Sequence, residues 1–488
     1  MKTLLSNSAN RQVLIIEQLK YSDDWVSVKS IVESIDATPK TIIRDCEDIE
    51  DRWGHIVSIQ RDGSSALHLS EKKGHSVAEI FSEMIQESVA FQLLEQIIFY
   101  PGKSRSQLQK ELFISSANLY RQIIKMNEIL AAFGVYIDRT NVCLSGKNEV
   151  QIRIFLALYF SEAYDYNSWP FPTIDRGQVE QLVEKMTSIY PQELSLPFLV
   201  GATILRQRQG FVVSEEQMKK KDHHLDVYHF FLLNLQEQLP ELVEKELYLD
   251  FASTILWRDF SWDNREEERR IDRLCTASIQ LIAEVLALKN SAENLQKCIY
   301  VLKSFYCLHK TYPYKNYLIY NRCWSASKTI RNRFAVFNKV LEKNLKDLEK
   351  ATNIPWYSAY FVSILFELFI AWENLPQQLY ALRQPVSVEV ASNRGVDHAH
   401  LLRYCVERSL NDKVLVNINP TLIKCDPSER KQVNFDLCVT NFLAKSVPKE
   451  KLFIVEDIPS AKNLTSLQEL IEKHRMEMVI EQLAYLES

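Results

Sequence analysis

Two groups of side chains in this sequence have the types and spacing to do chemistry, and both suit recognition rather than bond making. In the first, Thr38, Lys40, Thr41 and Arg44 stand around Pro39 in the run TPKTIIRDCEDIE as candidates for DNA contact. Cations and hydroxyls at such positions donate to phosphate oxygens and to base edges in a major groove. Arg61, in a turn further on, offers a guanidinium to the same duplex. In the second group, Ser116, Asn118, Arg121, Gln122 and Lys125 lie in SANLYRQIIK, with no acid before Glu128. The first group runs into Asp45, Glu47, Asp48, Glu50 and Asp51, which a duplex would repel, so only its first turn or two could approach closely. No paired carboxylates, metal-ligand cluster or nucleophile elbow points to catalysis. We therefore expect no enzyme, no metal and no cofactor.

Both groups need a helix to present them. Val28, Ile31, Val32 and Ile35 recur at helical spacing and predict a short helix over Ser27 to Ile35. Asp36-Ala37 makes a turn, Thr38 is a good N-cap, and Pro39 fits the first helical position. Ile42, Ile43, Cys46, Ile49 and Trp53 then give the buried face of a helix ending at Gly54. His55–Gln60 and Ala66–Leu69 alternate as strands around Arg61-Asp62-Gly63-Ser64. With a preceding helix at residues 9–20, positions 8–70 read as a winged helix-turn-helix. The order repeats after a break at Glu71–Gly74. Helix resumes near Ser76 and stops at Tyr100-Pro101-Gly102; Ser104 caps RSQLQKELF, Ser115 or Ser116 caps ANLYRQIIKMNEILAAFG, and VYID with NVCLSG forms a second wing.

The whole chain sets limits on these readings. Its 488 residues allow about three to five domains. A composition 46% hydrophobic and 25% charged is that of ordinary globular protein, and only ten glycines favour a mostly helical architecture. A net charge of −5 means that DNA affinity must come from local basic patches or several modules together. Nine cysteines lie without a CxxC pair, so neither a zinc site nor a disulfide framework is expected. With no signal peptide and no apolar run of membrane-spanning length, the expected location is the cytoplasm.

From Asn148 the pattern changes to long helices, expected at 176–190, 195–209, 223–237, 240–257 and 265–288. A second helical block runs from about 291 to 382. It holds a long helical segment from Ser325 to Lys350 and an apolar stretch, Trp356 to Ala371, whose single charge is Glu367; this reads as a buried helix. Residues 315–350 carry nine Lys or Arg against three acids. A solvated helix face is the default reading of that excess, and a supplementary phosphate-contacting surface is the sharper one. After Gln384-Pro385, strands VSVEVAS, KVLVNI, VNFDLCVT and KLFIVE alternate with helix, which predicts a small α/β domain. The expected fold is thus mainly α and multidomain. It comprises a first winged helix-turn-helix (1–72), a second (73–148), two all-helical domains (149–288 and 289–384) and an α/β domain (385–488).

This order resembles the Mga/AtxA family of transcriptional regulators of Gram-positive bacteria, related to the wider group with PTS regulation domains (PRDs). The pieces that carry the resemblance are TPKTIIRDCEDIE and the junction LSGKNEVQIRIFLALYF, Leu144 to Phe160. The resemblance implies two PRD-like helical domains, an enzyme-IIB-like tail, promoter binding, and control of virulence or carbohydrate-use genes. It also implies a homodimer or higher oligomer formed through the tail, and tuning by histidine phosphorylation from phosphocarrier proteins of the sugar phosphotransferase system (PTS). Typical PRDs place a histidine about two helical turns before an arginine. The nearest match, FLVGATILR (Phe198 to Arg206), has Leu199 there, and DFASTILWRDF also lacks a histidine. The candidates left are His223, His224, His229 and His309, and for each a surface or packing histidine is the default reading. The tail departs as well. Ser392-Asn393-Arg394-Gly395 stands where enzyme IIB proteins carry a nucleophilic cysteine in a C-x-x-G loop, so phosphotransfer by this domain is not expected. Cys405, Cys425 and Cys438 are expected in or near the core.

The leading expectation is a DNA-binding transcriptional regulator whose partner is double-stranded DNA. RNA-binding antitermination, performed by some PRD proteins, is the alternative; two helix-turn-helix motifs speak against it. A phosphocarrier of the sugar-uptake system is the third reading, and the missing cysteine counts against it.

Overall fold

The computed structural model describes residues 1–22, 25–63, 65–164, 168–186, 195–214, 233, 236–237, 247–382, 385–410, 414–423 and 435–487. These residues are mainly helical, with three small sheets. No helix among them is long and apolar enough to cross a membrane. The chain separates into two compact units. One comprises Met1–Arg273 with Lys303–Ser325, the other Leu274–Leu302 with Ala326–Ser488.

In the first unit, helix α1 (Asn7–Lys20) buries Val13, Ile15, Ile16 and Leu19. Strand β1 (Val26–Ser27) leads into α2 (Val28–Ile35), capped by Ser27, whose hydroxyl oxygen accepts from Ser30 N at 3.1 Å. Asp36 adopts the left-handed conformation (φ 53°) that ends the helix, and α3 (Pro39–Trp53) follows at once. A hairpin of β2 (Val57–Asp62) and β3 (Ala66–Glu71) closes the group. Its first strand runs two residues beyond the expected Gln60, because Arg61 and Asp62 pair with Leu67 and Ala66. β1 adds to the other side of β3, giving the order β1-β3-β2.

The second group begins with α4 (Val77–Glu87) and α5 (Val89–Phe99), which break at Ser88 where one helix-forming stretch was expected. α6 (Arg105–Glu111) has a capping box between Ser104 and Gln107. Phe113 turns the chain at φ 53°, and Ser115, not Ser116, caps α7 (Ser116–Leu130). Strands β4 (Val135–Asp138) and β5 (Cys143–Gly146) pair antiparallel.

Helix α8 (Glu149–Tyr164) is buried on nearly every side, as its apolar run without a polar face requires. Around it lie α9 (Arg176–Met186), α10 (Leu196–Arg208), α11 (Tyr248–Ile255) and α12 (Trp257–Phe260). Of the helix expected at 223–237, nearly all lies outside the described residues. Beneath α8 sits a closed charge cluster. Arg153 pairs with Glu149 (3.2 Å) and with Asp250 (2.9 Å), and also donates to Thr254 Oγ1 (2.9 Å) and Phe211 O (2.9 Å). Arg206 grips Glu149 through Nε (2.7 Å) and Nη2 (2.8 Å), and its Nη2 reaches the carbonyl of Leu144 in β5 (3.4 Å). All four charged residues are buried. Leu199, at the position where a PRD histidine was sought, is buried too.

Helices α13 (Arg265–Val285) and α14 (Ala292–Thr311) each contribute residues to both units. The stretch after α14 is tied down within the first unit. The buried carboxylate of Glu162 accepts from three successive amides, Leu318 N (2.5 Å), Ile319 N (2.9 Å) and Tyr320 N (3.2 Å), while burial pushes its carboxyl upward. Tyr320 stacks on Tyr21 and meets Phe81, and the Tyr21 hydroxyl donates to Asn321 O (3.2 Å). Tyr314 covers Gly134, where an added Cβ would lie 2.2 Å from the ring.

In the second unit, the single helix expected from Ser325 to Lys350 is two. α15 (Arg322–Arg333) and α16 (Ala335–Thr352) break at Phe334, whose φ of −130° and ψ of 55° are not helical. α17 (Phe361–Ala371) is shorter than the apolar stretch that encodes it, and α18 (Leu375–Ala381) follows. The tail is a parallel sheet ordered β7-β6-β8-β9, built from β6 (Val386–Ala391), β7 (Val414–Ile418), β8 (Leu437–Thr440) and β9 (Leu452–Ile454). Val388, Val390, Val416, Leu437 and Val439 form one core with Leu402 and Val406 of α19 (Val396–Ser409) and Leu467 and Ile471 of α20 (Ala461–Glu487). Ser392 is buried. His398 bridges Asp457 O, 2.7 Å from Nε2, and the Ser392 hydroxyl, 2.7 Å from Nδ1. The hydroxyl in the expected cysteine position is thus consumed as a structural link. Cys438 is buried and Cys405 partly so; Cys425 lies outside the described residues.

Arg153→Leu would leave Glu149 and Asp250 buried with one partner fewer. We expect a loss of about 3–5 kcal/mol in unfolding free energy, measured by chemical denaturation. A loss below about 1 kcal/mol would mean that water reaches this cluster.

Candidate nucleic-acid interface

The first turn of α3 is organised by its cap. Thr38 Oγ1 accepts from Thr41 N (3.2 Å) and shares a hydrogen bond with Thr41 Oγ1 (2.9 Å). Both hydroxyls predicted to meet DNA are therefore engaged at the helix start, with Thr38 exposed and Thr41 half-buried. Lys40 and Arg44 stand one turn apart on the exposed face. Neither makes an ion pair among the described residues, so both charges face solvent at full strength.

The acidic run behind them is not the repulsive surface its composition suggests. Asp45 points inward: its carboxylate takes Arg11 Nε (2.8 Å), Arg11 Nη2 (3.0 Å) and Ser8 Oγ (3.3 Å), pinning α3 to α1. Pairing with Asp45 holds the Arg11 guanidinium above its ordinary range. Glu47 and Glu50 turn to the hairpin, where Arg61 Nη1 meets Glu47 (3.0 Å) and Nη2 meets Glu50 (3.4 Å). Glu50 also accepts from Ile59 N (3.0 Å). Asp48 and Asp51 are left exposed. The same contacts change the standing of Arg61, which is a clasp between α3 and the hairpin and already neutralised. Cys46, inside this helix, is buried, and its thiol is pushed up to about 12.

On α7, Ser115 Oγ accepts from Asn118 N (3.2 Å). Ser116, Arg121 and Lys125 are exposed, and Asn118 and Gln122 are half-buried. Arg121 Nε touches only its own helix, at Ala117 O (3.3 Å). No carboxylate holds Arg121 or Lys125 among the described residues. The five predicted residues share one helix, and Arg121 and Lys125 share a face of it.

Three residues that shape or flank the second hairpin carry no mark in the sequence reading. Asn127 donates to Ile137 O (2.9 Å) and accepts from Ile137 N (2.7 Å), so its amide locks the hairpin to α7 as a strand partner would. Arg139 sits exposed at the hairpin tip, and its carbonyl accepts from Arg105 Nη2 at 2.7 Å. Asp138 shapes that tip by accepting from Thr140 N (2.8 Å) and Asn141 Nδ2 (2.7 Å), bonds that hold its carboxyl below the usual range. The signal was the D-R-T-N tetrapeptide between the two strand patterns, a turn sequence carrying a cation. Of the candidate phosphorylation sites, His309 lies in α14, half-buried, with burial lowering its pKa. His223, His224 and His229 lie outside the described residues.

A model of the Mga helix-turn-helix domain matches residues 73–160, the span from α4 through α7, its hairpin and most of α8. Over 94% of its length the chain is 21% identical to a protein of Streptococcus pneumoniae serotype 4 named as a trans-acting regulator, covering 96% of that protein. It is 19% identical, over 94% of its length and 98% of the relative's, to the anthrax toxin expression trans-acting positive regulator of Bacillus anthracis. The capsule synthesis positive regulator AcpB of the same organism matches 43% of the chain and 44% of its own length at 23% identity. The chain is thus similar over most of its length to proteins named as trans-acting regulators, and its residues 73–160 match the Mga helix-turn-helix domain.

Glu47→Gln would loosen the clasp on Arg61. We expect duplex affinity to rise, and the log–log salt dependence to steepen by roughly one phosphate contact, in a fluorescence-anisotropy titration. An unchanged slope would place the hairpin tip away from the backbone.

Proposed function

We propose that this chain is a DNA-binding transcriptional regulator of the Mga/AtxA family that reads promoter DNA through α3 and α7, each the second helix of a winged helix-turn-helix. The observation that carries this reading is that α7 exposes Arg121 and Lys125 with no carboxylate partner among the described residues, in the region matched by the family's helix-turn-helix model. Lys40 and Arg44 give α3 the same character over its first turn. Ser116, Asn118 and Gln122 supply hydrogen-bond donors and acceptors suited to base edges. Thr38 and Thr41 act through the cap, and Arg61 acts after release from its glutamates.

The remaining segments complete the reading. Residues 149–288 and 289–384 are two PRD-like helical domains, and 385–488 is an enzyme-IIB-like domain with a structural serine in place of a phosphoacceptor. Oligomerisation through that tail is supported by its exposed apolar side chains, among them Val396, Tyr404, Leu415 and Ile458. Input from phosphocarrier proteins would act on His309 or on His223, His224 or His229. The genes controlled are of the virulence or carbohydrate-use kind, as with relatives named for toxin expression and capsule synthesis.

Arg44→Ala and Arg121→Ala should each weaken binding to a promoter fragment. The loss is about 1–3 kcal/mol where the arginine reads a base, or about one unit of salt slope where it meets a phosphate. A gel shift against duplex DNA and a structured RNA separates this reading from antitermination. If both variants bind the duplex as the parent does, the assignment of the reading helices is wrong.

A further inference from the structure

The lysines of α16 form a line. Lys339, Lys343, Lys346 and Lys350 follow one another at spacings of four, three and four residues, which on an α-helix is a single ridge. All four are exposed, and Phe337, Leu341, Leu345 and Leu348 fill the opposite, buried face. At 1.5 Å per residue the ridge is about 17 Å long.

The acids of the same helix lie to either side of this ridge, and each is occupied. Glu349 accepts from Tyr357 N (2.7 Å), Ser358 N (3.0 Å) and Ser358 Oγ (3.0 Å), which holds the following turn to the helix. Glu342 takes Lys346 (2.6 Å) and the Tyr357 hydroxyl (3.1 Å). Asp347 meets Lys350 at 3.4 Å, where the lysine is 79% exposed. Lys339 and Lys343 make no ion pair among the described residues. The free positive charge is therefore concentrated at the N-terminal half of the ridge, with Lys350 weakly held at its end.

We infer that this ridge is a sequence-independent contact for the sugar–phosphate backbone of duplex DNA, additional to the two reading helices. The absence of an apolar anchor decides the class of partner. No large hydrophobic side chain of α16 is exposed. Protein interfaces are organised around buried aromatic or aliphatic anchors, and membrane-surface helices insert an apolar face. Point charges repeated along a straight ridge suit a polyanion instead: a duplex presents roughly ten phosphate charges over that length of axis. The contact also answers the charge balance of a chain at −5, whose reading helices offer only a few unpaired cations each. The inference rests on the DNA-binding reading and adds a surface to it.

The test is the salt dependence of binding by the full chain to a promoter duplex and to an unrelated duplex of the same length. Lys339→Gln with Lys343→Gln should reduce the log–log salt slope by roughly two contacts' worth, on both duplexes alike. At fixed salt, affinity for both falls about equally, so the ratio between them is kept, and the thermal midpoint is unchanged. If this variant keeps the parent's slope while Arg44→Ala or Arg121→Ala lowers affinity, the ridge is only a solvated face and the reading helices stand. If the parent binds neither duplex, the DNA-binding reading falls and takes the ridge with it.

Discussion

Everything built on α8 depends on a charge cluster that contains no water-facing group. Two arginines, Arg153 and Arg206, are balanced by two carboxylates, Glu149 and Asp250, and all four are buried. Burying that much charge is tolerable only when every donor and acceptor finds a partner, because an unpaired member would cost several kcal/mol. The cluster draws its extra partners from separate elements: Leu144 O from the second hairpin, Phe211 O from the turn after α10, and Thr254 from α11. It therefore fixes the hairpin beside α7 to the helical segment that follows. The family's helix-turn-helix match runs past the hairpin to residue 160, so it includes Glu149 and Arg153. The second helix-and-hairpin unit is tied to the start of α8 through Arg206, which bonds both Leu144 O and Glu149.

The two helix-and-hairpin units differ in their electrostatic design. α7 carries cations over its first half and no acid until Glu128, so nothing needs to be neutralised. α3 carries five acids close behind its cations, and the fold removes three of them from play. Asp45 is spent on Arg11, and Glu47 and Glu50 are spent on Arg61. That arrangement stiffens the first unit, but it takes the hairpin's arginine out of circulation. The first turn of α3 is left positive, with Asp48 and Asp51 the acids of the run that stay exposed behind it. The stretch after α14 adds a further constraint, since Glu162 grips its backbone while Tyr320 and Tyr314 rest on parts of the two helix-and-hairpin units.

Much of this was legible in the sequence because local signals agree with the fold. Thr38-Pro39 and Ser104 mark helix starts that the structure keeps, and the alternation of His55–Gln60 and Ala66–Leu69 marks the first hairpin, although its first strand starts only at Val57. What could not be read was pairing between elements distant in the chain. Nothing in TPKTIIRDCEDIE distinguishes Asp45, facing Arg11, from Asp48, facing solvent, except a helical wheel whose buried face reads as apolar only. Asn127 carries no local mark of its bonds to Ile137. The break at Phe334 is not announced by Gly or Pro. It divides a pattern that is helical on both sides, and tertiary packing of Phe334 against Phe369 and Tyr380 accompanies the change of direction. Ser392 was visible as a substitution, but its use as a link to His398 was not.

In the function proposed above, two helices of unlike electrostatic design read one promoter together. Hydroxyl-radical footprinting of the full chain on a bound genomic fragment tests it most directly. Two separate protected stretches are expected, one lost with Arg44→Ala and the other with Arg121→Ala, while the remaining stretch keeps its position. A single protected stretch that both substitutions leave unchanged would contradict it.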